Sequence, residues 1–327
     1  MSRYRKRLPQ LEGRLFLADA GLETMLVHQQ GFTLPAFASF VLLREAAGRA
    51  ALLAYFERFA RLAHDHRTGL VLETPTWRAN PDWGRALGYG ELALAEANRE
   101  AVALVASVRA AWDAPGRQMG AQPIVISGNI GPRGDGYRVD QRMSAAGARN
   151  YHLAQVAAFA ASEADMVSAF TIGYPDEAIG IVDAAAACDM PVAISFTLET
   201  DGRLPSGDTL ADAIGRTDLE TGSHAAYYMV NCAHPAHVEP ALLEPGPWRA
   251  RLCGLRANAS RRSHAELDES PELDDGDPEQ LGDEYLALST LLPHLNVVGG
   301  CCGTDERHVA AIARRLVGWS ARPGDMQ

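Results

Sequence analysis

The chain carries five cysteines: Cys188, Cys232, Cys253, Cys301 and Cys302. An odd number, two of them adjacent, in a chain of 327 residues makes a poor disulfide framework. Metal binding or thiol reactivity is the better reading. Cys232 follows Asn231 at the end of an apolar run, and Cys301-Cys302 lie within Gly299-Gly-Cys-Cys-Gly303. If these three meet, they offer zinc three thiolates and leave the fourth tetrahedral position open, the layout of a catalytic site. A substrate thiol at that position ionises at neutral pH, and its thiolate can attack an activated methyl group. Gly299, Gly300 and Gly303 remove bulk beside the pair and admit backbone angles that a Cβ forbids. Cys253, inside an apolar run, and Cys188, late in a helical pattern, read as packing thiols. A redox role for Cys301-Cys302 lacks a Cys-x-x-Cys motif. His234 and His237 follow Cys232 and read as loop residues, since three thiolates already suffice for the metal.

Such a site needs elements that bring residues 232 and 301–302 together. Eight short apolar runs read as strands: 15–21, 69–75, 124–131, 166–172, 191–198, 226–233, 251–258 and 296–304. Most are apolar on both alternating faces, as in parallel strands covered on both sides. Helical patterns fall between and after them at 50–64, 92–112, 145–163, 176–188, 209–221 (with Asp208 as N-cap), 236–243, 279–292 and 306–319. Strand then helix, eight times over, indicates a single-domain (β/α)8 barrel across 1–327, with an open doubly wound sheet as the second choice. In a barrel the C-terminal strand ends form one rim, where active sites are built. Asp19, Glu73, Ser127-Gly-Asn-Ile-Gly-Pro132, Asn231-Cys232 and Cys301-Cys302 all fall there.

At these residues the chain resembles the homocysteine S-methyltransferase family, from about residue 15 to 317. The strongest elements are Val230-Asn-Cys232 and Gly299-Gly-Cys-Cys-Gly-Thr304. Supporting ones are Asp19-Ala-Gly-Leu-Glu-Thr24, Ser127-Gly-Asn-Ile-Gly-Pro132, and Ser195-Phe-Thr197 followed by Ser206-Gly207. The resemblance implies a (β/α)8 barrel, one Zn2+ held by Cys232, Cys301 and Cys302, and methyl transfer to homocysteine, giving methionine. The chain is too short for added folate and cobalamin modules. The nearer analogy is an enzyme using a sulfonium or quaternary-ammonium donor, S-methylmethionine first. One departure concerns the acceptor. The family's Glu at the end of the fourth strand helps hold the homocysteine amino group, and Ser168-Ala-Phe-Thr-Ile172 places Phe170 there. A ring offers an ammonium only a weaker cation–π contact. Either Asp19 and Glu73 carry the ammonium, or the acceptor is a different small thiol.

Other candidates have structural alternatives beside their functional ones. Asp19 is an ammonium acceptor or a turn residue. Glu73 is a substrate carboxylate or the partner of an Arg such as Arg78. Asn231 binds substrate or orients the loop, and Thr24 and Ser195 bind substrate or cap backbone groups. Trp77, Tyr137 and Tyr174 pack, or offer faces to a cationic donor.

The net charge is −11, which argues against nucleic acid. Ten of the acidic residues lie between 265 and 284, with no Lys or Arg among them. Residues 261–282 therefore read as an acidic, solvated loop. No apolar run reaches the length of a membrane span, and the basic N-terminus lacks the apolar stretch of a secretory signal. The expected partners are a small thiol acceptor and a methyl donor in the cytoplasm. No feature of the sequence sets an oligomeric state. A non-catalytic zinc-binding barrel and a thiol redox protein remain as other classes.

Overall fold

A computed structural model of the chain describes residues 2–114, 122–268 and 273–317. Eight parallel strands close into a barrel in sequence order. They are β1 (Phe16–Leu17), β2 (Gly69–Glu73), β3 (Ile124–Ile130), β4 (Met166–Ile172), β5 (Val192–Phe196), β6 (Tyr227–Asn231), β7 (Leu252–Ala257) and β8 (Val297–Gly300). Closure is direct: Phe16 and Leu17 pair with Gly69 and Leu70 on one side and with Val297 and Val298 on the other. The (β/α)8 reading therefore holds and the open-sheet alternative falls.

The helices are α1 (Leu22–Thr24), α2 (Ala46–His66), α3 (Pro81–Ala86), α4 (Glu91–Asp113), α5 (Ala145–Ala160), α6 (Pro175–Ala187), α7 (Leu210–Thr221), α8 (Pro235–Ala241), α9 (His264–Asp268), α10 (Pro278–Leu291) and α11 (Glu306–Val317). Each long helix buries a stripe. In α2 it is Leu52, Tyr55, Phe56, Phe59 and Ala63, the i, i+3, i+4 spacing of an amphipathic helix. Thr209, not Asp208, caps α7, its side chain accepting from Asp212 N. Of the strand expected at 296–304 only Val297–Gly300 is regular. The helix expected at 306–319 is described to Val317, and its last two residues lie outside the described residues.

Apolar side chains form two bodies. The larger fills the space between strands and helices. The smaller fills the barrel interior with Phe16, Val71, Val125, Met166, Phe170, Tyr227, Met229 and Val297, joined by Leu8 from the N-terminal segment. That segment is tied at its backbone: Arg3 N and Tyr4 N donate to Asp165 Oδ1, whose other oxygen takes Arg109 Nη1 at 2.7 Å. Among the described residues, no helix is long and apolar enough to cross a membrane.

The described acidic residues of the stretch 261–282 are exposed or half-buried. The stretch contains α9 and the start of α10. Several of its carboxylates have arginine partners, Asp275 with Arg307, Glu279 with Arg314 and Asp283 with Arg315. Residues 269–272 of this stretch lie outside the described residues.

Candidate active site

The three sulfurs meet. One ligand atom from each of Cys232, Cys301 and Cys302 lies within 4.8 Å of the others. Metal–sulfur bonds of about 2.3 Å in a tetrahedron set sulfurs ~3.8 Å apart, so the cluster needs only a small contraction to hold zinc. Cys232 follows β6 in the left-handed region, φ 53°, a conformation uncommon without glycine. Gly300 ends β8 where a Cβ would stand 2.0 Å from Thr304 Oγ1, so only glycine lets the Cys301-Cys302 turn fold back. Gly303 follows at φ +78°.

The thiols share charge. Hydrogen bonds from Cys301 and Cys302 hold the Cys232 thiol well below its ordinary range. Cys232 in turn pushes Cys301 up to about 12, and Cys302 well up. Three thiolates this close repel one another, and a dication is what allows all three to ionise together. The donor set therefore fits zinc.

Asn231 braces the sulfurs. Its Oδ1 accepts from Thr171 N and Ser195 Oγ, both at 2.8 Å. Its Nδ2 donates to Thr171 Oγ1 at 2.9 Å and lies 3.9 Å from Cys301 Sγ. Thr171 is itself at φ 62°, where the β4–β5 register breaks between Ala169 and Ile172. That bulge turns the Thr171 hydroxyl toward Cys232 Sγ, 3.9 Å away. One amide thus ties β4, β5 and β6 to the sulfur corner.

Beside the sulfurs lies a cavity of about 340 Å³. Its deep wall holds Asp19, Glu73, Phe170 and Arg256. The Arg256 guanidinium binds Glu73 through Nη1 and Asp19 through Nη2. Its Nη2 also donates to Ala20 O and its Nε to Gly300 O, each at 3.0 Å. The Phe170 ring centre is 5.1 Å from the guanidinium carbon. Burial pushes Glu73 up to about 8 and raises Asp19 as well, against the pull of Arg256 in both cases. Burial alone would lower Arg256, but Asp19 and Glu73 more than offset it.

The outer wall is Glu23, Phe37, Trp77, Arg78 and Tyr137, with Thr24 beside it. Glu23 accepts from Ser39 Oγ at 2.7 Å, and burial raises its carboxyl. Arg78 lies over the Trp77 ring at 4.2 Å and donates to Gly134 O. Tyr137 stacks on His264 with ring centres 3.8 Å apart, which carries α9 over the mouth.

The family model for homocysteine S-methyltransferase matches residues 16–316. The chain belongs to the homocysteine S-methyltransferase family. It is a methyltransferase with the family's barrel. Among solved structures it is similar to the homocysteine methyltransferase MmuM from Escherichia coli. The metallated form of that enzyme gives a TM-score of 0.73 at 20% identity, covering 93% of this chain and 98% of that one. The oxidised form gives 0.72 at 20%, with 93% and 96% covered, and the apo form 0.64 at 19%, with 93% and 96%. At these identities the likeness is one of fold. Among curated protein sequences nothing matches.

Most of the residues singled out in the sequence come together in this homocysteine S-methyltransferase barrel. Asp19, Thr24, Glu73, Trp77, Asn231, Cys232, Cys301 and Cys302 all line the one cavity. Tyr174, His234, His237 and Ser195 do not line it. Tyr174 caps α6, its hydroxyl accepting from Met143 N at 3.0 Å away from the main cavity. His234 lies in the turn before α8, as expected, where it caps that helix and pairs with Glu284, whereas His237 is in α8 itself and bonds Arg261 O. Ser195 bonds Asn231 rather than facing the cavity. The partner of Glu73 is Arg256 rather than Arg78. Sequence reading missed Arg256 and Glu23. A charged residue inside the apolar run Leu252-Cys-Gly-Leu-Arg256-Ala was the available signal for the first.

Proposed function

We propose that this methyltransferase is zinc-dependent. It moves a methyl group from a sulfonium or quaternary-ammonium donor, S-methylmethionine first, to the thiol of homocysteine, giving methionine. The observation that carries the reading is the convergence of Cys232, Cys301 and Cys302 at the rim cavity. Held by Cys232, Cys301 and Cys302, zinc would supply a Lewis acid that favours the thiolate form of an acceptor thiol. The metallated form of the E. coli relative supports the metal.

The chain's own residues align and enclose the reactants. Asn231 fixes the directions of the sulfur corner through Thr171 and Ser195. The cavity's outer wall suits a cationic donor: Glu23 supplies a carboxylate, while Phe37, Trp77 and Tyr137 supply aromatic faces. With donor and acceptor stacked along the cavity, the methyl carbon lies between sulfur and leaving group. Alignment of this kind and exclusion of water are what a barrel mouth contributes to an in-line displacement. The donor leaves as a neutral thioether or tertiary amine, and the acceptor thiol's proton goes to solvent.

The test is a methyl-transfer assay on zinc-loaded protein, read by mass spectrometry. Homocysteine is paired in turn with S-methylmethionine, S-adenosylmethionine and betaine, with Cys301→Ala as the blank. Methionine formed by the unmutated protein alone supports the reading. Bound zinc with no product from any pair leaves a zinc-binding barrel without turnover. A reversible Cys301–Cys302 disulfide and no bound zinc would favour the redox class.

A further inference from the structure

The deep wall of the cavity holds two carboxylates, and a single guanidinium occupies both. Arg256 comes from β7, Asp19 from the end of β1 and Glu73 from the end of β2. Their side chains are only 8%, 4% and 3% exposed. The guanidinium is also held by Ala20 O and Gly300 O and lies against Phe170. It is fixed by contacts at the ends of β1, β2 and β8 as well as its own strand, unlike a surface arginine that can swing aside. A ligand ammonium reaching for Asp19 or Glu73 would meet a like charge already in contact with both. Displacing it would leave a buried guanidinium unpaired.

We infer that Arg256 takes the place at Asp19 and Glu73 that the ammonium of an amino-acid acceptor would fill. The acceptor class of this site is therefore small thiols chosen without regard to an α-ammonium group, thiol carboxylates included alongside homocysteine. The inference rests on the thiol-methylation reading of the same cavity and deepens it. Recognition falls to the sulfur at the cysteine corner and to the shape of the wall around Phe170. The guanidinium makes the wall indifferent or adverse to a second cation, which is the opposite of what a wall of free carboxylates would do.

The experiment compares homocysteine with its deaminated analogue, 4-mercaptobutanoate, and its decarboxylated analogue, 3-mercaptopropylamine. Cobalt(II)-loaded protein reports binding through the sulfur-to-cobalt absorption band, and zinc-loaded protein with S-methylmethionine reports turnover. Affinity for 4-mercaptobutanoate is expected within about threefold of homocysteine, and 3-mercaptopropylamine is expected to bind no tighter than either. A loss of about tenfold to hundredfold on removing the amino group, the range of one charge-assisted hydrogen bond, would overturn the inference. The two readings separate cleanly. The expected binding order without any methyl product sinks methyl transfer and leaves the acceptor class standing. Turnover confined to homocysteine sinks the acceptor class and leaves methyl transfer standing. A paired variant, Arg256→Met with Glu73→Gln, keeps the wall from carrying two unpaired carboxylates. Once folded and cobalt-loaded, it should favour homocysteine over 4-mercaptobutanoate by about tenfold. Unchanged discrimination in that variant would also count against the inference.

Discussion

Replacing Arg256 with methionine removes the cation from a triad whose members are all buried. Two carboxyl groups then lie in a low-dielectric wall with no opposite charge. Breaking a buried pair by deleting one partner costs about 3–5 kcal/mol. For a chain of this size that lowers the melting temperature by about 4–7 °C. The cost must depend on pH, and the sign follows from the carboxyls. Glu73 already sits at about 8 with Arg256 present, because burial raises it. Without Arg256 the folded-state values of Asp19 and Glu73 rise further above those of the unfolded chain. A carboxyl raised on folding keeps its full stability below the unfolded value, near 4, and loses it as pH climbs through the folded one. The variant should therefore trail the parent least at pH 5, and the gap should widen as pH climbs past about 8, where Glu73 ionises beside Arg256 in the parent and stays protonated in the variant. Urea or thermal unfolding at several pH values, with reductant present, measures this. Adding Asp19→Asn and Glu73→Gln should recover most of the loss, since an uncharged wall needs no cation. An equal penalty at both pH extremes, or no recovery in the triple variant, would refute the electrostatic account and leave only lost packing.

The remaining predictions concern the sulfur corner and the outer wall. Cys232→Ser, Cys301→Ala and Cys302→Ala should each abolish stoichiometric zinc, measured by elemental analysis after dialysis, whereas Cys188→Ser and Cys253→Ser should retain it. Zinc affinity should weaken as pH falls, because all three thiols must lose protons to bind; a chelator competition between pH 6 and 8 reads the slope. Asn231→Ala removes the brace between Thr171, Ser195 and the sulfurs and should weaken zinc binding about 10–100-fold, whereas Ser195→Ala should cost less. Glu23→Gln should raise KM for a cationic donor several-fold and leave the acceptor's KM unchanged, which steady-state kinetics with each substrate varied would show.

Much of this architecture was legible because its signals are local. Strands buried on both faces read as unbroken apolar runs, and the run 166–172 coincides with β4 to the residue. The cysteine corner was legible for a related reason. Its members end their strands, and in a parallel barrel all such ends share one rim, so residues 69 positions apart in sequence must face one mouth. The N-cap of α7 was misassigned because Asp208 and Thr209 both suit the role. The choice depends on which side chain reaches the Asp212 amide, a matter of one residue's register. In the acidic stretch, composition shows charge but not partners. Arg315, which takes Asp283, and Arg307, which takes Asp275, lie about 32 positions on, in α11.

Arg256 shows where such reading stops. Its carboxylate partners lie 183 and 237 positions away, and only closure of the barrel between β8 and β1 brings Asp19 to β7's side of the mouth. Before closure, Asp19 and Glu73 each look like a free rim carboxylate, the obvious ligand for an ammonium, and Phe170 looks like an isolated loss. After closure these residues read as one group. A charged group stands in the wall from β7, the two carboxylates are its counter-ions, and a ring rather than a third carboxylate lies against it. A third carboxylate there would have left the wall with two charges in excess. The apolar ring keeps the excess to one, or to none when Glu73 holds its proton. The sulfur corner is built from the backbone turns after β6 and β8 and from the Asn231 brace, and it meets this wall where Arg256 Nε donates to Gly300 O beside Cys301. The cysteine cluster thus rises from the ends of β6 and β8 and the arginine–carboxylate triad from β1, β2 and β7, two distinct parts of one cavity.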